Sequence, residues 1–260
     1  MIRLFILLAL IFPSKQIYSQ SFMENSAFKS GERISYNIMY NLGFIWVNAG
    51  KVEFSVDSVT YNNNPTYIFK SSGSSYSSYD WVMKVREAFS SYFDCKNVKP
   101  LKYARKSIEG SYFANEIYEF DYQNNKLYSQ IENSKTKLTK DTFDLKLNAY
   151  DLLSAIYVCR NLDFSKYALN TKIPFLIFMD NKYEPLYVKY LGPAVFEDRE
   201  GKKYNCIKFS ASLLSGTIFT SGENMKIWVT NDNSHIPVYI EADILVGSVK
   251  AFISSYNGNK

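Results

Sequence analysis

Along most of the chain apolar and polar residues alternate one by one, and the alternation gives way once to a different spacing. Val52, Phe54 and Val56 alternate with Lys51, Glu53, Ser55 and Asp57, the period-two pattern of a strand with one buried face. In Asn148–Arg160, NAYDLLSAIYVCR, apolar residues instead recur at three and four places. Leu152, Ile156 and Cys159 share one face there, with Ala149, Leu153 and Tyr157 beside it and Asp151 and Arg160 near its margin. That spacing predicts a short helix in an otherwise β chain. The expected fold is therefore mainly β: large curved antiparallel sheets, as a sandwich or a partly open barrel, with one short central helix packed on the sheet.

Turn signals place the strands. After the strand Arg33–Tyr40, a link at Asn41–Gly43 leads into Phe44–Val47, a bulge is expected at Gly50 before Lys51–Val59, and YNNNP leads into Thr66–Ser72. Tyr76–Val85 reads as a short helix or a strand edge, and hairpins follow through Glu87–Asp94, Lys102–Ser107, Asn115–Tyr122 and Lys126–Glu132. Lys135–Lys146 reads as a loop or edge. Beyond the helix, strands are expected at Ile173–Met179, Leu186–Leu191, Tyr204–Ser210, Leu213–Thr220, Met225–Thr230, Val238–Ile244 and Ser248–Tyr256.

MIRLFILLALIFPSKQIYSQ has a basic start at Arg3, an apolar run Leu4–Phe12 and small or polar residues near Ser19 and Gln20, the order of a secretory leader (1–20). Its apolar core is short for a bilayer span, so no transmembrane segment is expected after its removal. Residues 21–30 read as loose, and 21–260 as a single β-rich domain, with two packed halves joined near 135–172 as the alternative. Export places the protein in the periplasm or on the outer surface of the envelope. Losing Arg3 and Lys15 with the leader lowers the net charge of +5 by two, to +3. So small a surplus argues against nucleic acid as a partner.

Cys95, Cys159 and Cys206 are widely and unequally spaced, which leaves one disulfide or three free thiols open. One histidine, His235, and no CxxC or HExxH spacing give little basis for a metal site, and no cofactor is expected. With 22 Tyr and 19 Phe, the aromatic content suits many strands with amphipathic faces, or a concave surface lined for a ligand.

Four stretches resemble the exported bacterial family known as domain of unknown function 3108. They are GERISYNIMYNLGFIWVNAGKVEFSV, FDCKNVKPLKYARKSIEGSY, DLLSAIYVCR and MKIWVTNDNSHIPVYIEADILVGSVKAFI, which follow one another in order from residue 31 to residue 253. The resemblance implies an exported, uncharacterised protein of mainly antiparallel β fold, with curved sheets similar to those of periplasmic lipid carriers and lipocalins. It supplies no catalytic residue.

Asp80, Arg86 and Glu87 surround Trp81, and a meeting with Asp151 and Arg160 would make a carboxylate–arginine site beside an aromatic ring. Trp81, Arg86, Asp151, Arg160 and Trp228 are accordingly the candidate binding residues, with a structural ion pair fixing the helix as the competing explanation. Asp151, Glu184, Glu197, Asp198 and Asp243 would have to supply the two carboxylates of a glycan hydrolase. Ser154 lacks the G-x-S-x-G context of a nucleophile elbow. DNKYEP and NDNSH read as hairpin turns more readily than as calcium loops. The expectation is a non-catalytic envelope protein binding an apolar or amphipathic ligand or an envelope partner, whether lipid, glycan or protein. A structural or assembly role is the alternative, and a carboxylate hydrolase a weaker one.

Overall fold

The computed structural model describes residues 25–213, 222–244 and 246–258; the leader and most of Leu213–Thr220 lie outside them. The described residues form one fifteen-stranded sheet. Its first wing contains β1 (Arg33–Leu42), β2 (Ile45–Tyr61), β3 (Asn64–Ser75), β4 (Val85–Asp94), β5 (Lys99–Glu109), β6 (Tyr112–Asp121), β7 (Lys126–Asn133) and β8 (Thr136–Asp144). A short helix, α1 (Asp80–Met83), joins β3 to β4. After β9 (Ala149–Tyr150) and α2 (Leu152–Arg160), the second wing runs through β10 (Lys172–Met179), β11 (Lys182–Glu197), β12 (Lys203–Leu213), β13 (Gly222–Thr230), β14 (Pro237–Asp243) and β15 (Ser248–Asn257).

Each wing is a meander of antiparallel neighbours, except that β9 pairs parallel with β10, and the wings join where β1 pairs with β15. Paired asparagines and aspartates make the tight turns: Asn62 and Asn63, then Asp180 and Asn181, all have positive φ, as a two-residue hairpin with right-twisted arms requires. At Gly50 a side chain would strike the Ser74 carbonyl, and the β1–β2 register slips beside it. The expected bulge is there, whereas Gly43 and Gly247 sit in hairpin turns with positive φ and do not kink strands.

The sheet curls until its ends meet through side chains, without a closing ladder. Asn181 donates to Asp141 at 2.9 Å, the Tyr183 hydroxyl donates to the Asp144 carbonyl at 2.8 Å, and the Phe143 and Phe178 rings meet edge to face at 5.1 Å. Inside the curl, Val56, Phe69, Ser91, Tyr103, Tyr118 and Ser129 form one in-register row across β2 to β7, and every member is buried. Helix α2 seats on that row, with Tyr157 stacked on Phe69 at 4.0 Å between ring centres.

Two expectations need correction. Asn148–Tyr150 is not helical, and α2 buries Leu153, Ser154, Tyr157 and Val158, while Ile156 is 38% exposed. The face under the helix offers Phe69 and Ser91, so a ring and a hydroxyl set its rotation in place of the aliphatic stripe. Residues 25–30 are not loose: the Ser26 and Ala27 amides donate to the Asn161 side chain, and Phe28 packs edge to face on Phe69 and Tyr157. Of the two alternatives for Lys135–Lys146, loop or edge, the structure has the edge: most of it is the edge strand β8, whose polar residues suit a strand with one free side.

Candidate functional site

Asp151 caps the start of α2, accepting from the Ser154 amide at 2.8 Å. Its other oxygen accepts from the Ser154 and Ser91 hydroxyls at 2.6 and 2.8 Å. Burial nevertheless pushes its carboxyl above the usual carboxylate range, outweighing those donors. Arg160, at the other end, meets Glu32 through both terminal nitrogens at 2.6 and 2.8 Å and donates further to the Ser234 and Ala27 carbonyls. His235 Nδ1 donates to the Arg160 carbonyl at 2.6 Å. The two charged residues of the helix are thus buried pins at opposite ends of it, not one site.

Arg86 makes a two-pronged pair with Asp80 at 2.7 and 3.1 Å, which holds α1 at the end of the sheet. This pairing keeps the Asp80 carboxyl below its ordinary range. Trp81 stands beside it, 85% exposed and touching neither end of α2. Glu87 follows Arg86 and so faces inward, where it meets Arg105 and the Ser107 hydroxyl. Burial raises its carboxyl, while Ser107 and Arg105 act against the rise. Arg105 also meets Glu116 at 3.2 Å. Trp228 lies on the outer face, with Lys208 over its ring at 4.4 Å and Tyr239 5.0 Å away.

The five candidates are not brought together. Glu32, Ser91, Arg105 and Glu116, the groups that hold the interior charges, were not legible, because their meetings depend on strand register and on a contact across 128 residues. Cys95, Cys159 and Cys206 are free; burial pushes the Cys159 thiol up to about 12 and the Cys206 thiol to about 11.

A different arrangement lies on the outer face of β1 to β5. Ser35, Glu53, Ser72, Ala88 and Lys106 form one in-register row, and Arg33, Ser55, Lys70, Ser90 and Ala104 the next. Small side chains at six of these ten places leave a groove of about 640 Å³ across five strands. A second, of about 380 Å³, shares Ala88 and Lys106 with it and extends toward Ile108 and Phe113. Arg33 is paired with Asp57 and Glu53 with Lys51, whereas Lys70 and Lys106 form no ion pair among the described residues. The result is an open, hydroxyl-bearing floor with two available cations. Each strand shows part of it, as small or basic residues in its polar phase, but the band exists only once the strands are in register.

Over the other wing the outer face is roofed. The far part of the β11–β12 hairpin folds across it, stacking Phe196 on Tyr239 at 4.5 Å, with Arg199 reaching the Trp46 ring at 5.3 Å.

Among the described residues no helix is long and apolar enough to cross a membrane. A comparison with curated proteins found no match. Among solved structures the chain is similar to a β-barrel-like protein of domain of unknown function DUF1849 from Brucella abortus. The two are 7% identical with a TM-score of 0.57, over 89% of this chain and 98% of that one, a likeness of fold alone. The model of the protein family of unknown function DUF3108 matches residues 35–254, and the chain belongs to that family of exported bacterial envelope proteins.

Proposed function

We propose that the protein is a non-catalytic envelope binding protein that holds an elongated anionic ligand, an acidic envelope glycan, along the groove of β1 to β5. The single observation behind this reading is the pair of in-register rows with small side chains and two lysines that form no ion pair among the described residues. A chain of sugars lying across the strands would meet the Ser35, Ser55, Ser72 and Ser90 hydroxyls, and its carboxylates or phosphates would meet Lys70 and Lys106. The concave interior, the first place to expect a ligand, is occupied by α2 and the aromatic rows, which moves the reading to the outer face. Titration of acidic and neutral envelope glycans by calorimetry tests it. The expected result is salt-sensitive binding of acidic chains, weakened roughly tenfold or more when Lys70→Glu and Lys106→Glu are combined. Equal binding of neutral chains, or indifference to both substitutions, would overturn it.

An assembly role is the second reading, and β8 favours it. That strand is exposed along most of its length and hydrogen-bonded on one side only, with Leu138 on its surface. Sedimentation showing a stable oligomer broken by a proline in β8, with no glycan bound, would prefer this reading.

A further inference from the structure

One end of the sheet gathers the turns at residues 42–45, 76–84, 109–112 and 243–248, and hydrogen bonds tie neighbouring turns together. The Tyr40 hydroxyl donates to Val246, the Tyr76 amide to Ala49 and the Gly110 amide to Lys84. This end exposes large apolar side chains at the tips of its turns. Phe44 is 95% and Trp81 85% exposed, and Leu42, Ile45, Trp46 and Val246 stand out beside them. Such residues cost the free molecule unfavourable contact with water, and their clustering on one end marks an interaction surface. Behind the tips stand cations: Arg199 lies over the Trp46 ring, as does Lys250, which is also paired with Glu241 at 3.2 Å, and Lys84 is exposed with no ion pair among the described residues. Asp80 is neutralised by Arg86, which leaves Asp243 as an exposed acid on the 243–248 turn.

We propose that this end docks on the surface of a bilayer carrying anionic headgroups, with Phe44 and Trp81 entering the boundary between headgroups and acyl chains. The shape argues for a lipid partner. Separate projecting tips suit a fluid surface that deforms around each of them, whereas a protein partner would have to match several protrusions with as many pits. The chemistry agrees, because aromatic rings settle at the headgroup level and basic residues just behind them meet lipid phosphates. The docking surface lies outside the larger groove of β1 to β5 and does not depend on a ligand there.

The test is flotation of the leaderless chain with phosphatidylcholine vesicles, with and without phosphatidylglycerol. The expected result is binding that strengthens with phosphatidylglycerol and a blue shift in tryptophan emission. Combining Phe44→Ser with Trp81→Ser should weaken binding by roughly tenfold or more, with the circular dichroism and Tm unchanged because both side chains lie in water. Lys84→Glu should reduce only the part of the binding that phosphatidylglycerol adds. No binding to either vesicle would overturn the proposal, as would equal binding by the double variant. A concentration-dependent dimer that the double variant abolishes, without vesicle binding, would assign the surface to a second copy instead.

Discussion

The inner and outer faces of the same strands treat charge in opposite ways. Inside, Arg160 is held by Glu32 and Arg105 by Glu87 and Glu116, and Asp151 is capped by two serines. Outside, on β3 and β5, Lys70 and Lys106 stand beside serine and alanine and form no ion pair among the described residues. A buried charge that is fully paired serves the fold, because removing its partner leaves an ion in a poor solvent. An exposed charge beside small neighbours adds little to folding and remains available to a ligand. A polar residue in one of these strands is therefore informative only once its face is known.

The strongest way to break the contrast is Arg160→Ala, which would strand Glu32 in the core and leave the Ser234 and Ala27 carbonyls without their donor. It should cost about 3–5 kcal/mol in urea unfolding, and replacing both partners with apolar residues should recover much of that. A loss near zero would mean that the pair is not buried in solution. Next comes Leu153→Ala at about 2–5 kcal/mol, set against Ile156→Ala, whose side chain is partly in water and should cost well under half as much. Reversal of that order would return the helix to the rotation read from its aliphatic spacing.

Asp151→Asn sharpens the contrast through pH. Because the folded-state carboxyl is raised, the native form binds its proton more tightly than the unfolded chain does. Its stabilising contribution is therefore greatest at low pH and falls as pH rises from about 4 through the folded-state value. The asparagine variant keeps a capping oxygen and should lose that slope, as thermal melts across the acid range would reveal; an unchanged slope would assign the pH dependence to Glu87 or another acid. The smallest effect belongs to the outer face. Lys70→Glu and Lys106→Glu should each move stability by no more than about 0.5 kcal/mol while weakening anion binding. A large loss of stability would show that these lysines serve the fold after all.

Much of the fold was legible. Alternation located most strands, asparagine-rich turns located the hairpins, and the one change of period located α2 within a few residues. Its orientation was not legible, because Tyr157 and Ser154 follow partners on β3 and β4 that are distant in sequence. β8 was hard to read because an edge strand has no need of a buried face. For the site, Arg86 and Asp80 were rightly seen as neighbours of Trp81, yet the expected meeting with α2 fails. Successive residues point to opposite faces, and Arg160 had a partner near the start of the described chain. The groove escaped because its ten residues come from five strands and no short stretch contains it.

The β1–β15 seam sets the order in which this molecule can be completed. Nearly every other pairing joins neighbours in sequence and can form as soon as a hairpin emerges, but β1 gains its second neighbour only with the last strand of the sheet. During export the first wing must therefore persist with β1 open along one side, and Glu32 cannot meet Arg160 until the helix has crossed. That interval is when strand-edge association with another emerging chain is most dangerous. A truncation ending before Ser248 should extend the interval indefinitely, and the chain's dependence on envelope chaperones should rise with it.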